Sequence, residues 1–162
     1  MIRDAVESDA GQIAEIYGHH VMTGLASFEE EAPPESEMLA RMRSVRDLGA
    51  PYLVAELDGK VVGYSYATLY RTRSAYRFTL EDSVYIRDGY AGRGIGRALL
   101  RELLERCSRG PWKRMVAIIG DSANHSSIAL HRALGFRDMG TLESVGFKLG
   151  RWVDSVMMQR DL

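Results

Sequence analysis

The sequence predicts a mixed α/β (α+β) domain, a twisted and mostly antiparallel sheet of about seven strands flanked by four helices. Three observations predict it. Two apolar runs are separated only by Asp58-Gly59, a two-residue hairpin signal. A glycine-rich turn at 89–96 joins a strand to a long amphipathic helix in mid-chain. The periodicities alternate in the order β-α-α-β-β-β-α-β-α-β-β, which gives hairpins, not βαβ units, in the first half.

Ile2 to Ala5 reads as a short opening strand. Ser8 or Asp9 is placed to cap a first helix that runs to about His20, with Ile13, Ile16 and Tyr17 at helical spacing. Thr23 to Pro34 is loop-like. Glu35 to about Leu48 reads as a second helix, with Met38, Leu39 and Met42 on one face. The hairpin strands are Tyr52–Leu57 and Lys60–Tyr70; Arg71–Ala75 connects them to a strand over Arg77–Ile86. The long helix covers about Ile95–Ser108, its stripe formed by Ile95, Leu99, Leu100, Leu103, Leu104 and Cys107. Gly110-Pro111 ends it. Met115–Ile119 reads as a strand buried on both faces. Asn124 or Ser126 caps a last helix that stops before Gly135. Arg137 to Leu162 gives two strands with a turn near Gly146–Gly150, the Met157-Met158 pair serving as strand core.

A length of 162 residues suits one domain over 1–162 with a core that needs no staples. The formal net charge of -1 suggests no nucleic-acid or anionic-membrane partner. One cysteine excludes an internal disulfide framework and any CxxC metal site, and His19, His20 and His125 lack ligand spacing, so no metal is expected. The opening residues lack the apolar segment of a signal peptide, and no apolar run approaches a membrane span. The expected location is cytoplasmic.

The chemistry lies in the stretch Ser83-Val84-Tyr85-Ile86-Arg87-Asp88-Gly89-Tyr90-Ala91-Gly92-Arg93-Gly94-Ile95-Gly96-Arg97. Glycines free the backbone to turn amides towards a ligand, and a new helix adds its unpaired N-terminal amides and dipole. The combination seats a pyrophosphate. A P-loop is excluded because no Gly-Lys-Ser/Thr follows, and the glycines at 92, 94 and 96 do not spell GxGxxG. A dinucleotide fold would find a ribose-reading carboxylate in Asp121, yet too few βα units remain after the turn to build it.

Ala91-Gly92-Arg93-Gly94-Ile95-Gly96 before an Ala-Leu-Leu helix resembles the acetyl-CoA-binding signature of the GNAT superfamily of N-acetyltransferases, and Asn124-His125-Ser126-Ser127 with Leu134-Gly135-Phe136 resembles its downstream element. Tyr70–Tyr76, Glu81–Ile86 and Gly146–Asp154 extend the resemblance, over nearly the whole chain, to the phosphinothricin and methionine sulfoximine acetyltransferase group. The usual Gln/Arg of the first motif position is Ala91 here, which removes a side-chain contact and keeps the backbone cradle.

The resemblance implies the GNAT fold, a homodimer, and acetyl transfer from acetyl-CoA to the α-amine of a small amino-acid-like substrate by direct attack on the thioester. It places Glu81 at the family's catalytic glutamate; from the residues alone, Glu81 reads equally as a solvated strand carboxylate. The cofactor contacts are Val84, Tyr85 and Ile86 for the pantetheine arm, Gly92, Arg93, Gly94, Ile95, Gly96 and Arg97 for the pyrophosphate, and Asn124 near the arm. Arg71, Thr72, Arg73, Glu81, Asp82 and Ser83 are assigned to the substrate, since arginine forks suit a carboxylate or phosphinate. Tyr76, Phe28 and Lys148 are weaker candidates for the pocket wall. His131, where many relatives carry a tyrosine acid, reads more readily as a structural histidine, and Cys107 as core. Two other functions compete. One is acetylation of a protein N-terminus or lysine, which needs an open peptide groove. The other is a CoA-binding regulatory module, which could dispense with Glu81.

Overall fold

The computed structural model describes residues 1–162. Seven strands, β1 (Ile2–Asp4), β2 (Tyr52–Leu57), β3 (Lys60–Leu69), β4 (Thr79–Ile86), β5 (Arg114–Ile119), β6 (Arg137–Lys148) and β7 (Arg151–Asp161), form one sheet in the order β1-β2-β3-β4-β5-β7-β6. The helices are α1 (Ala10–Thr23), α2 (Glu35–Asp47), α3 (Ile95–Ser108) and α4 (His125–Ala133). Every neighbouring pair is antiparallel except β4 with β5.

The expected elements are all present, with local differences. Asp9 does not cap α1. A 3-10 turn over Glu7–Asp9 comes first, and the Asp9 carboxylate accepts from the Val6 amide (2.8 Å) and from both Arg3 guanidinium nitrogens (2.8 and 2.9 Å). α1 also continues past His20 to Thr23. In α2 the third core residue is Val45, while Leu39 is half-buried. Residues 70–78 are a longer connection than expected and hold a 3-10 turn over Ser74–Tyr76. Of the methionine pair only Met158 reaches the core, because successive strand residues point to opposite faces. The Asp58-Gly59 turn has φ of 50° and 77°, the left-handed pair a two-residue hairpin requires. The last turn narrows to Leu149-Gly150 for the same reason (φ 52° and 74°).

The sheet is covered on both faces. Tyr85 packs edge-on against Tyr17 of α1 at 5.1 Å, and it sits with Tyr64, Tyr66 and Tyr52 in an aromatic row beneath α1 and α2. The next residue, Ile86, points the other way, towards Leu99 of α3 and Gly63 of β3. Leu99, Leu100 and Leu103 are fully buried and fix α3 to that face, as their helical spacing predicts. After α3, Gly110 lets the chain fold back so that the Trp112 ring lies where a Cβ would be, 2.5 Å away; that ring is 6% exposed.

The close approach at Gly63 yields a test. A Cβ there would stand 2.9 Å from Ile86 Cδ1 and 3.1 Å from both Leu99 Cδ1 and the Tyr85 carbonyl oxygen. Gly63→Ala is expected to lower stability by roughly 1–3 kcal/mol through overpacking, read as a shifted urea midpoint at unchanged slope.

Candidate active site

β4 and β5 pair only at Thr79–Arg114, Leu80–Met115 and Glu81–Val116. Beyond Glu81 the two strands separate, although β4 runs to Ile86 and β5 to Ile119. The Arg87 amide donates to the Val62 carbonyl at 2.8 Å, and Tyr70 donates to the Thr79 carbonyl at 3.1 Å. Main-chain groups of odd-numbered β4 residues therefore face β3. By alternation, those of Val84 and Ile86 face the opening wedge. Of the three residues that the sequence reading assigned to the pantetheine arm, these two present main-chain groups to the wedge. Tyr85 does not: its main chain belongs to the β3 ladder and its ring to the aromatic row, so it is corrected to a structural residue.

The glycine turn lies between the exit of β4 and α3. Gly92 and Gly94 hold φ of 77° and 78°, a region that disfavours any side chain. Gly94 is the N-cap of α3 and has no side chain with which to cap. The first helical bond is from Ala98 N–H to the Gly94 carbonyl, so the amides of Ile95, Gly96 and Arg97 have no partner within the helix. At Gly96 an added Cβ would meet only ordinary contacts of 3.6–3.8 Å. The Arg93 guanidinium stacks on Tyr90 at 4.9 Å. The open strand edge, the glycine backbone and the free helix terminus together suit a molecule with an extended amide arm and a diphosphate.

Glu81 is half-buried at the point where the strands part. Burial, with help from the Asp82 charge, pushes its carboxyl up to about 7, while Arg71 opposes the shift. Ser83 lies on the same face, opposite Tyr66 of β3. Arg71 to Arg73 are exposed on the 70–78 connection, with the Arg71 guanidinium 4.4 Å over the Tyr70 ring. Tyr76, also exposed, packs edge-on against Tyr70 at 5.6 Å.

Asp82 was grouped with the substrate, but its side chain lies on the other face of the sheet from that of Glu81. Its side chain points to the α3–α4 face, where Oδ1 accepts from His131 Nε2 at 2.9 Å. His131 Nδ1 donates to the Ser127 carbonyl at 2.7 Å. A carbonyl only accepts, so Nδ1 carries a proton, and opposite an ionised Asp82 carboxylate Nε2 carries one as well. Burial alone would lower the His131 pKa; the Asp82 charge, its hydrogen bond and the Ser127 carbonyl outweigh burial and raise it. With both nitrogens engaged and the residue buried, His131 is a structural ion-pair partner. Cys107 is core, its thiol pushed up to about 12 by burial.

Asn124 is the cap of α4, ahead of Ser126. Its Oδ1 accepts from the Ser127 amide at 3.3 Å and its Nδ2 donates to the Gly120 carbonyl at 3.2 Å. These bonds fix the chain just after β5 and leave little of its side chain for a ligand. Asp121, the carboxylate a dinucleotide fold would need, is tied to the Arg151 guanidinium and the Ala123 amide, both at 3.2 Å. That reading is set aside.

The sequence missed the network that holds the loop between α1 and α2. Tyr17 hydrogen-bonds Ser27 at 2.8 Å and also Glu29, which receives a bidentate Arg41 fork at 2.7 and 2.9 Å. The fork, above all, holds the Glu29 carboxyl below its ordinary pKa. Lys148 is buried and donates to the Ser27 carbonyl at 2.6 Å, and burial lowers its pKa. The Phe28 ring rests on Gly120 and Gly146, whose added Cβ atoms would both lie 2.7 Å from it. Phe28 and Lys148 thus build one flank at the β5 exit, with Lys148 as the pin of the loop. Aromatic and charged residues scattered over residues 17–41 and 148 carry no local signal of this convergence.

The family model described as "Acetyltransferase (GNAT) family" matches residues 14–136. The chain is 57% identical over 161 residues to a phosphinothricin N-acetyltransferase of Alcaligenes faecalis, covering 99% of this chain and 82% of that protein. It is 38% identical over 161 residues to an L-methionine sulfoximine/L-methionine sulfone acetyltransferase of Salmonella typhimurium, covering 99% and 94%. A crystal structure of a GNAT superfamily phosphinothricin acetyltransferase from Sinorhizobium meliloti, in complex with AcCoA, superposes with a TM-score of 0.97 at 48% identity, covering 100% of this chain and 88% of that one.

The buried pair is testable by stability. His131→Leu leaves Asp82 buried without a counter-charge and is expected to cost about 3–5 kcal/mol in denaturant unfolding near pH 6. Because the folded pKa of His131 is raised above 6.5, its contribution is full below that value and fades as pH rises through the folded pKa. The gap between wild type and variant should therefore narrow in alkaline buffer.

Proposed function

Since this chain belongs to the acetyltransferase (GNAT) family, we propose that it is an acetyl-CoA-dependent N-acetyltransferase. Its acceptor is the α-amine of a small amino-acid-like molecule such as methionine sulfoximine, phosphinothricin or a related L-amino acid. The observation that carries this reading is Glu81, a carboxyl with a pKa near 7 at the edge of the β4–β5 wedge. The relatives named for phosphinothricin and methionine sulfoximine acetylation support the substrate class.

When bound, acetyl-CoA supplies an activated acetyl thioester. The free amides of Ile95, Gly96 and Arg97 and the backbone of Gly92–Gly94 hold its diphosphate, with Arg93 beside them. The main chain of Val84 and Ile86 receives the arm along the wedge. An α-ammonium is not a nucleophile, so a base must take its proton before attack. Glu81 does this, directly or through a water, and its near-neutral pKa leaves a large ionised fraction near neutral pH while keeping that carboxylate basic enough to accept. Ser83 shares its face, and Arg71 and Arg73, exposed on the neighbouring connection, offer forks for the acceptor's acidic group. No group of histidine, cysteine and acidic side chains is arranged to hold a metal, and the chemistry proposed needs none.

We also infer a homodimer built on the β6–β7 hairpin. β6 is the edge strand of the sheet, and the hairpin exposes Leu142, Val145, Phe147 and Trp152 together, more apolar surface than a lone edge tolerates. No helix is long and apolar enough to cross a membrane. A buried cysteine without a disulfide fits a reducing, cytoplasmic setting.

A thiol-release assay over methionine sulfoximine, phosphinothricin, free amino acids and short peptides tests the substrate class; a preference for peptides would overturn it. Glu81→Gln should lower kcat by about 10²- to 10⁴-fold. Wild-type kcat/KM for the amine should rise with pH to a plateau, with a limb near the Glu81 pKa of about 7 that the variant lacks. Near-normal turnover by the variant would remove the base assignment. Trp152→Glu should shift the protein from dimer to monomer in light scattering.

A further inference from the structure

The last turns of α1 send three side chains to the stem of the glycine turn. Glu15 accepts from Arg87 at 3.1 Å, His19 lies 3.9 Å from Asp88, and His20 Nε2 lies 2.7 Å from the Ile86 carbonyl oxygen. The first two pairs are exposed and weak, since water screens them. The third is partly buried and short. A carbonyl oxygen only accepts, so Nε2 carries the proton in that bond. The His20 ring is held in place by Tyr85, at 5.3 Å between centroids.

Ile86 is the residue at which three constraints meet. Its side chain packs against Gly63, Leu99 and Gly96, joining β4 to the first turn of α3. Its successor, Arg87, is fixed to β3 through the Val62 carbonyl. Its own carbonyl faces away from β3, on the same edge as its N–H. That edge lacks a neighbouring strand, because β5 has already diverged. On that edge the carbonyl meets His20 Nε2.

We propose that His20 is a positioning residue for the cofactor: by binding the Ile86 carbonyl it fixes the exit of β4, and so the angle between the wedge-facing Ile86 amide and the glycine cradle. This rests on the acetyl-CoA reading above. His20 touches neither the amine nor Glu81 in this role, so its removal should affect one substrate selectively.

The test is His20→Leu, with His20→Gln as the conservative variant whose side-chain amide can still donate. Losing one neutral hydrogen bond should raise the Kd for CoA, measured by calorimetry, and the KM for acetyl-CoA roughly 2- to 12-fold. The KM for the amine should stay within about 2-fold, and His20→Gln should recover most of the loss. His20→Asn, too short to reach Ile86, should behave like leucine and gives the same reading if the leucine variant does not fold. Unchanged CoA affinity despite a lowered Tm, an equal loss for both substrates, or no recovery by glutamine would overturn the proposal alone. A wild-type protein with no affinity for CoA would overturn the cofactor reading and this proposal with it.

Discussion

The site depends on where one parallel strand pair stops. Main-chain hydrogen bonds between β4 and β5 hold for three residue pairs and then end. A buried amide or carbonyl left without a partner is costly, so a sheet that splits must offer its free edge to water or to a ligand. Here that edge leads directly to a glycine turn and an uncapped helix, which carry the same kind of donor. The surface these elements present is therefore mostly backbone, and Ala91 leaves that backbone in place.

Alternation along β4 divides the labour of two adjacent carboxylates. Glu81 looks towards the α1 face and is left without a charged partner at close range, so burial keeps its proton affinity high. Asp82 looks towards α4 and finds the His131 ring. A shift of one residue in strand register would exchange their environments. The neighbouring elements secure that register through the Gly63 contact with Ile86 and the Asp58-Gly59 turn.

Much of this was legible because it is local. The hairpin turn, the α3 stripe and the glycine turn each rest on residues close in sequence, and the sequence placed them correctly. The side of the sheet on which a strand residue falls is also local information, and strict alternation would have parted the Asp82 side chain from that of Glu81. What could not be read depends on distant partners. Nothing near Asp82 announces His131, and nothing near Ser27 announces Lys148, 121 positions away. Asn124 was weighed both as cap and as ligand, and local geometry favours the cap. The connection at 70–78, with its 3-10 turn, lacks any periodicity from which its shape could be inferred.

The two tryptophans lie in opposite surroundings. Trp112 is folded under Gly110 in the core, while Trp152 is 65% exposed and stands beside Phe147 on the edge hairpin. Their light emission must differ accordingly: a blue component sheltered from collisional quenchers, and a red one open to them. The molecule thus carries two intrinsic optical reporters, one for the integrity of the interior and the other for whatever covers the outer hairpin.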